Sequence, residues 1–325
     1  MSDPGTYRGR FAPSPTGELH LGCAATAIVT WLAARQAGGR LVLRVEDIDT
    51  PRVVPGSVDR QLDDLRWLGL DWDEGPEAGG AYGPYTQSER FGLYEEALQR
   101  LAADGLLYYC DCSRAEITRV ATAPHAGEEG SRYPGFCRDH GLETRTWKRP
   151  PAVRLRVPDG DVTVRDRFHG EVRQNVARTV GDFVLKRGDG IYSYQLAVVV
   201  DDLAMEVTEA VRGADLLGST PRQALLAELL GGRPPSFAHG PLVVGADGVR
   251  LAKRTRGVPL RDHREAGQRP SRVVAALART LGLLDPGDDR REIPATHLLA
   301  EPLERLVGRE EVRLSRDLLP SEEVG

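Results

Sequence analysis

The first forty residues constrain the fold most tightly. An extended run over residues 7–12 passes through the Pro- and Gly-punctuated loop PSPTGELHLG into an apolar, Ala-rich stretch at 23–36. Gly38-Gly39 supplies the stop that a helix needs. A second unit follows at once. Residues 40–45 read as a strand, and a helix begins near Pro55, with Val58, Leu62 and Leu65 at i, i+4 and i+7, ending at Gly69. Strand–helix–strand–helix order with short connections predicts a parallel sheet covered by helices, an α/β fold. Ligands in such folds sit at the carboxyl ends of the strands, where PSPTGELHLG falls.

Composition bounds the class. The 325 residues suffice for about two domains. A hydrophobic fraction of 40% with 28% charged residues excludes wholesale disorder, a collagen repeat or a coiled coil. Four cysteines are too few for a disulfide scaffold, so zinc or an inert buried thiol is the expectation. Nothing approaches the ~20 apolar residues of a membrane helix, and MSDPGTYRGR has no apolar signal core. A cytoplasmic enzyme or binding protein without a membrane partner is the default, with a monomer expected. The net charge of −5 hides an asymmetry: residues 46–104 are acidic and 145–178 basic. The acidic stretch fits solvated helix faces, and the basic one suits a polyanion such as RNA.

Four segments emerge along the chain. Residues 1–75 form the first half of the α/β core. Residues 76–180 carry Gly- and Pro-rich turns, three of the four cysteines and the basic stretch, and read as an insertion with its own small core. Residues 181–240 return to the core, with 196–200 expected as a buried central strand and a helix at 221–230. Residues 241–325 begin with PLVVGADGVRLAKR, read as a hairpin turning at Asp247-Gly248, and continue as helix, most clearly at 273–281.

His20 and Gly22 stand at a helix start, where unpaired backbone amides and the helix dipole favour phosphate. Gly22 leaves room for a nucleotide and His20 can donate to a phosphoryl oxygen. A satisfied capping histidine is the plainer alternative. Cys110-Asp-Cys112 and Cys137 offer thiolates at a spacing that suits zinc.

RFAPSPTGELHLG resembles the first signature of class I aminoacyl-tRNA synthetases, in the form used by glutamyl- and glutaminyl-type enzymes. RVEDIDTPR, GDFVLKRGDGIYSYQLAVVVDD, VTEAVRGADLLGSTPRQ and RLAKR follow in that family's order over about 250 residues. The resemblance implies a Rossmann-type nucleotide-binding core with a zinc-containing insertion and a short helical C-terminal part. It makes His20 and Lys253 catalytic and gives ATP to His20, Gly22 and Lys253, with Mg²⁺ on its phosphates. Lys253 is one of only three lysines. It assigns L-glutamate to Arg10, Phe11, Ala12, Pro13, Ser14, Glu46, Tyr194 and Arg212. The two arginines would grip the carboxylates and Glu46 the ammonium. Zinc ligands by position are Cys110, Cys112, Tyr133 and Cys137, one structural ion per chain, with His125 or His140 as alternative fourth ligands. The chain departs from the pattern where Arg250 replaces the first Lys of the second signature, Ala252 its Ser, and Cys23 the second His of the first.

About 70 residues follow Arg254, too few for the anticodon-binding region of a conventional glutamyl-tRNA synthetase. A catalytic core with a zinc site and no such region resembles the glutamyl-Q tRNA(Asp) synthetase family. That family activates glutamate with ATP and transfers it to the queuosine base in the anticodon of tRNA(Asp). A shortened enzyme charging the tRNA 3′ end, a ligase for another acceptor and an inactive RNA-binding paralogue are the alternatives.

Overall fold

The computed structural model describes residues 7–120, 132–143, 145–245, 259–285, 287–314 and 318. In chain order it contains β1 (Arg8–Phe11), α1 (Leu21–Gln36), β2 (Arg40–Leu43), α2 (Ser57–Trp67), α3 (Phe91–Ala103), β3 (Leu107–Cys110) and α4 (Arg114–Val120). There follow β4 (Ala152–Leu155), β5 (Asp161–Asp166), β6 (Gly170–Asn175), α5 (Val176–Thr179), β7 (Val184–Lys186), α6 (Tyr194–Ala204) and β8 (Glu209–Gly213). The last elements are α7 (Thr220–Leu229), β9 (Ser236–Gly240), β10 (Leu242–Val244), α8 (Leu260–Glu265), α9 (Pro270–Leu281) and β11 (Glu311–Arg313).

The main sheet has the order β2-β1-β8-β9-β5-β6. All neighbours are parallel except the β5–β6 hairpin at the edge. The protein is thus an α/β fold on a parallel sheet. All four residues of β1 are buried, as a strand covered on both faces requires. The hairpin comes from residues 161–175, so part of the stretch between the two sheet halves completes the sheet itself.

Helix α1 explains why residues 21–36 are apolar nearly all round. One side packs on β1, β2 and β8, and the other meets α9 and the turns that follow it. Leu21, Ile28 and Leu32 share one core with Val274, Leu277 and Leu298. A second sheet, β3-β4-β7, is antiparallel. Most of its core is shared: Leu107, Leu155 and Leu185 join one cluster with Leu196 and Val198 of α6 and Leu226 of α7, while Tyr108 and Cys110 pack with Ile117, Tyr133 and Cys137 in a small cluster apart.

Residues 196–200 are helical, not a strand. Ser193 Oγ accepts from Leu196 N at 3.3 Å and caps α6. A short apolar run bounded by polar residues carries no period that separates buried helix from buried strand, and here the cap decides. Strand β10 stands where the first arm of the expected hairpin lies, but its partner is β11, in parallel. The turn at Asp247-Gly248 lies outside the described residues. The C-terminal part holds α8 and α9, then short 3-10 turns and β11, so it is less helical than its composition suggests.

Candidate active site

A cleft of about 540 Å³ opens where β1, β8 and β9 end. Its walls bring together Arg10, Phe11, Ala12, Pro13 and Ser14 after β1 with His20 and Gly22 at the start of α1. Glu46 reaches it from beyond β2, Tyr194 from α6 and Arg212 from β8. Residues as far apart as Arg10 and Arg212 meet because parallel strands deliver their carboxyl ends to one edge.

The electrostatics centre on three guanidiniums. Arg10 donates from Nη1 to Val211 O at 2.9 Å and from Nε to Asp202 Oδ1 at 3.3 Å. Arg44 is fully buried and bridges Asp202 Oδ1 at 2.7 Å and Glu46 Oε1 at 3.0 Å, so it fixes the carboxylate that lines the cleft. Burial opposes ionisation of Asp202, yet Arg10 and Arg44 hold its carboxyl below the usual range. Burial instead pushes the Glu46 carboxyl up, against the pull of Arg44 and Arg10.

Arg212 differs. Its Nη1 donates to Gln223 Oε1 at 2.6 Å and to Tyr194 Oη at 3.5 Å, and its Nη2 to Thr220 Oγ1 at 3.0 Å. Its Nε donates to His239 Nε2 at 2.9 Å. Every one of these acceptors is neutral. Burial, with Arg10 nearby, pulls its pKa below the ordinary guanidinium range, but a guanidinium stays charged in proteins. A buried cation among neutral acceptors is arranged for an anion.

At the other end of the cleft, His20 is the N-cap of α1, and its Nδ1 accepts from Cys23 N at 3.2 Å. Its Nε2 lies 3.1 Å from Cys23 Sγ. The capping role and a place in the cleft wall therefore belong to one ring. Lys253, Arg250 and Ala252 lie outside the described residues. On either side of them, Val243 stands in the cleft wall and Pro259 bridges to His20.

The family model for the catalytic domain of class I tRNA synthetases (E and Q) matches residues 6–293. The chain belongs to the class I tRNA synthetases of this E and Q type. It is 50% identical over 304 residues to a glutamyl-Q tRNA(Asp) synthetase of Symbiobacterium thermophilum, covering 91% of this chain and 94% of that protein. With the corresponding protein of Nocardia farcinica it shares 51% over 280 residues, 85% of each chain. A glutamate–tRNA ligase of Anaeromyxobacter dehalogenans is 45% identical, but the match spans 84% of this chain and only 57% of the ligase. Among solved structures, a glutamate–tRNA synthetase of Elizabethkingia anophelis superposes with a TM-score of 0.79 at 28% identity, over 96% of this chain and 68% of that one.

Away from the synthetase cleft, Cys110, Cys112 and Cys137 gather so that their sulfur atoms all lie within 4.8 Å of one another. Cys112 Sγ is 3.6 Å from Cys137 Sγ. Sulfurs around one zinc at ~2.3 Å stand about 3.8 Å apart, so the donor set fits a tetrahedral ion. The Tyr133 hydroxyl lies 3.3 Å from Cys110 Sγ and 3.9 Å from Cys112 Sγ. His140 is exposed and outside this group, and His125 lies outside the described residues. Burial disfavours ionisation of Cys110, but the Tyr133 hydroxyl and the Arg154 guanidinium outweigh it and bring the thiol below its usual range. Arg154 stacks 3.8 Å from the Tyr133 ring centre. No helix among the described residues is long and apolar enough to cross a membrane.

Arg44, Asp202, Gln223 and His239 are site residues that motif reasoning passed over. The first two had a visible signal: charged residues inside the apolar runs LVLRV and LAVVVDDL. Gln223 closes the quoted motif VTEAVRGADLLGSTPRQ without a sign of its part there, and His239 had none, because both parts depend on how strand and helix neighbours pack.

Proposed function

We propose that this chain activates L-glutamate with ATP and transfers the glutamyl group to the queuosine base of tRNA(Asp). The observation that carries the reading is the near full-length match to glutamyl-Q tRNA(Asp) synthetases, with a cleft that pairs buried cations for carboxylates with a helix N-terminus for phosphate. Arg10 and Arg212 hold the two carboxylates, and Glu46, set by Arg44, receives the ammonium. Phe11, Ala12, Pro13, Ser14 and Tyr194 line the pocket around them.

A glutamate carboxylate oxygen attacks the α-phosphorus of ATP. The new P–O bond forms as the bond to pyrophosphate breaks, giving glutamyl-adenylate. His20 and Lys253 stabilise the phosphoryl charge, and Gly22 lets the nucleotide approach the backbone. Mg²⁺, when bound with ATP, would neutralise charge on the phosphates. Substrate positioning does most of the work, and no covalent enzyme intermediate is required. A hydroxyl of the modified base then attacks the adenylate carbonyl, forming an ester and releasing AMP. An anticodon base can be splayed into a pocket for this. Cys110, Cys112 and Cys137, with Tyr133 beside them, would hold a zinc ion that staples this corner of the fold.

The test is transfer of labelled glutamate to tRNA(Asp) with and without queuosine, followed by mapping of the labelled nucleotide. Label on the modified base alone is expected. Equal labelling of both tRNAs at the 3′ end would mean ordinary aminoacylation, and no glutamate-dependent ATP–pyrophosphate exchange would mean an inactive paralogue.

A further inference from the structure

Three neighbouring strands of the main sheet place three side chains in a row: Asp166 at the end of β5, His239 on β9 and Arg212 on β8. Arg212 and His239 are register partners. All three are buried. The Nε of an arginine carries a single hydrogen, so the Arg212–His239 contact has one sense: Arg212 donates and His239 Nε2 accepts, at 2.9 Å. The imidazole proton must then sit on Nδ1, where it points to Asp166 Oδ2 at 2.6 Å. Asp166 is itself held by backbone donors, with Oδ1 accepting from Phe168 N at 2.9 Å and His169 N at 3.0 Å.

We propose that Asp166 and His239 are positioning residues that aim Arg212 at a substrate carboxylate without placing a carboxylate directly on it. The proposal rests on the reading that Arg212 binds glutamate. A carboxylate placed directly on Nε would orient the guanidinium equally well, but would neutralise the cation that the substrate needs. A neutral imidazole accepts the same hydrogen bond without doing so. The balancing carboxylate, Asp166, stands one ring away and fixes the tautomer, as the acid partner of a histidine commonly does. Gln223 and Thr220 accept from Arg212 at short range and Tyr194 Oη and Leu216 O at 3.5 Å, again without charge. Burial holds His239 down to about 4, so the ring is neutral at physiological pH even with Asp166 beside it and with Arg212 and His169 as the cations or potential cations facing it.

Asp166→Asn is the sharpest probe. Its amide oxygen keeps the backbone contacts, while its NH₂ donates to His239 Nδ1 and drives the ring proton to Nε2, donor against donor with Arg212. His239→Gln carries an amide oxygen near the position of Nε2, whereas His239→Asn does not reach it. In glutamate-dependent ATP–pyrophosphate exchange, Asp166→Asn and His239→Asn are expected to raise KM for glutamate about tenfold or more, with KM for ATP unchanged within about twofold. His239→Gln should fall nearer the wild type. Equal rises in both KM values, or none for glutamate, would overturn the relay. Nitrogen-15 NMR of the imidazole gives a reading that needs no substrate. A proton on Nδ1 in the wild type and on Nε2 in Asp166→Asn upholds the relay, and a wild-type proton on Nε2 overturns it. A folded wild type without glutamate-dependent exchange overturns the substrate reading instead, and the tautomer still decides the relay.

Discussion

Gly22 answers to the protein's own interior before any nucleotide arrives. A Cβ built there lies 3.2 Å from His20 Nδ1 and 3.3 Å from Cε1, tighter than ordinary contact, while the ring is tied to Cys23 through both nitrogens. The backbone has no strain to release, and alanine is the better helix former by about 1 kcal/mol. If the His20 ring gives way to the methyl, Gly22→Ala should leave the melting temperature unchanged or raised while KM for ATP rises; a fall in stability with unchanged KM would show that the ring holds its place instead. Arg44 makes the opposite case. Removing it leaves Glu46 and Asp202 buried without their shared cation, and Arg44→Ala should cost on the order of 3–5 kcal/mol in urea unfolding. A loss under about 1 kcal/mol would mean that Arg10 takes over its partners. The lining residues named from the motifs meet in one cleft because each motif is a strand end or a helix start, and those are the positions a parallel sheet collects. The residues that orient them were not legible, since a hydrogen bond between Arg212 and His239 depends on which strands are neighbours, and the chain order alone does not say.

At the scale of elements, β3-β4-β7 borrows most of its core from α6 and α7, and among the described residues Tyr108, Ile117 and Tyr133 pack with the cysteines in a small group apart. So few apolar side chains give that corner little stability of their own, which is where a bound ion contributes most. Cys112→Ser, or chelation, should raise amide hydrogen exchange at 107–112 and 133–137 while residues 8–11 and 40–43 stay protected. Uniform loss of protection would mean that the cysteine group supports the whole fold. Elements with a strong period or clear stops, such as α1, α2 and α9, were legible from sequence. Helix α6 was not, because Val198, Val199 and Val200 favour a strand locally and tertiary burial with the Ser193 cap overrides them. The β10–β11 pairing joins residues almost seventy apart and leaves no local trace.

For the whole molecule, the sheet makes acid sensitivity a property of its centre. His239 titrates near 6.5 in the unfolded chain but at about 4 in the fold. Its folded pKa is depressed, so the unfolded state binds the proton first as pH falls. The stability this adds is complete above pH 6.5 and is lost between about 6.5 and 4, on the order of 3 kcal/mol. His263, lowered by burial despite Gln268, acts in the same direction. Asp166 and Asp202 lie below the ordinary carboxylate range despite burial, Asp166 through His239 and Asp202 through Arg10 and Arg44. They extend the loss to still lower pH. Because α1 is clamped between this sheet and the C-terminal helices, loosening the sheet should unfold the chain as a unit. Urea denaturation at pH 7 and pH 4.5 tests this against His239→Gln, whose amide does not titrate. The wild type should lose about 2–3 kcal/mol more than the variant over that interval. Equal losses would mean that His239 is protonated at no cost in the folded state, and that Asp166 holds it as a cation facing Arg212.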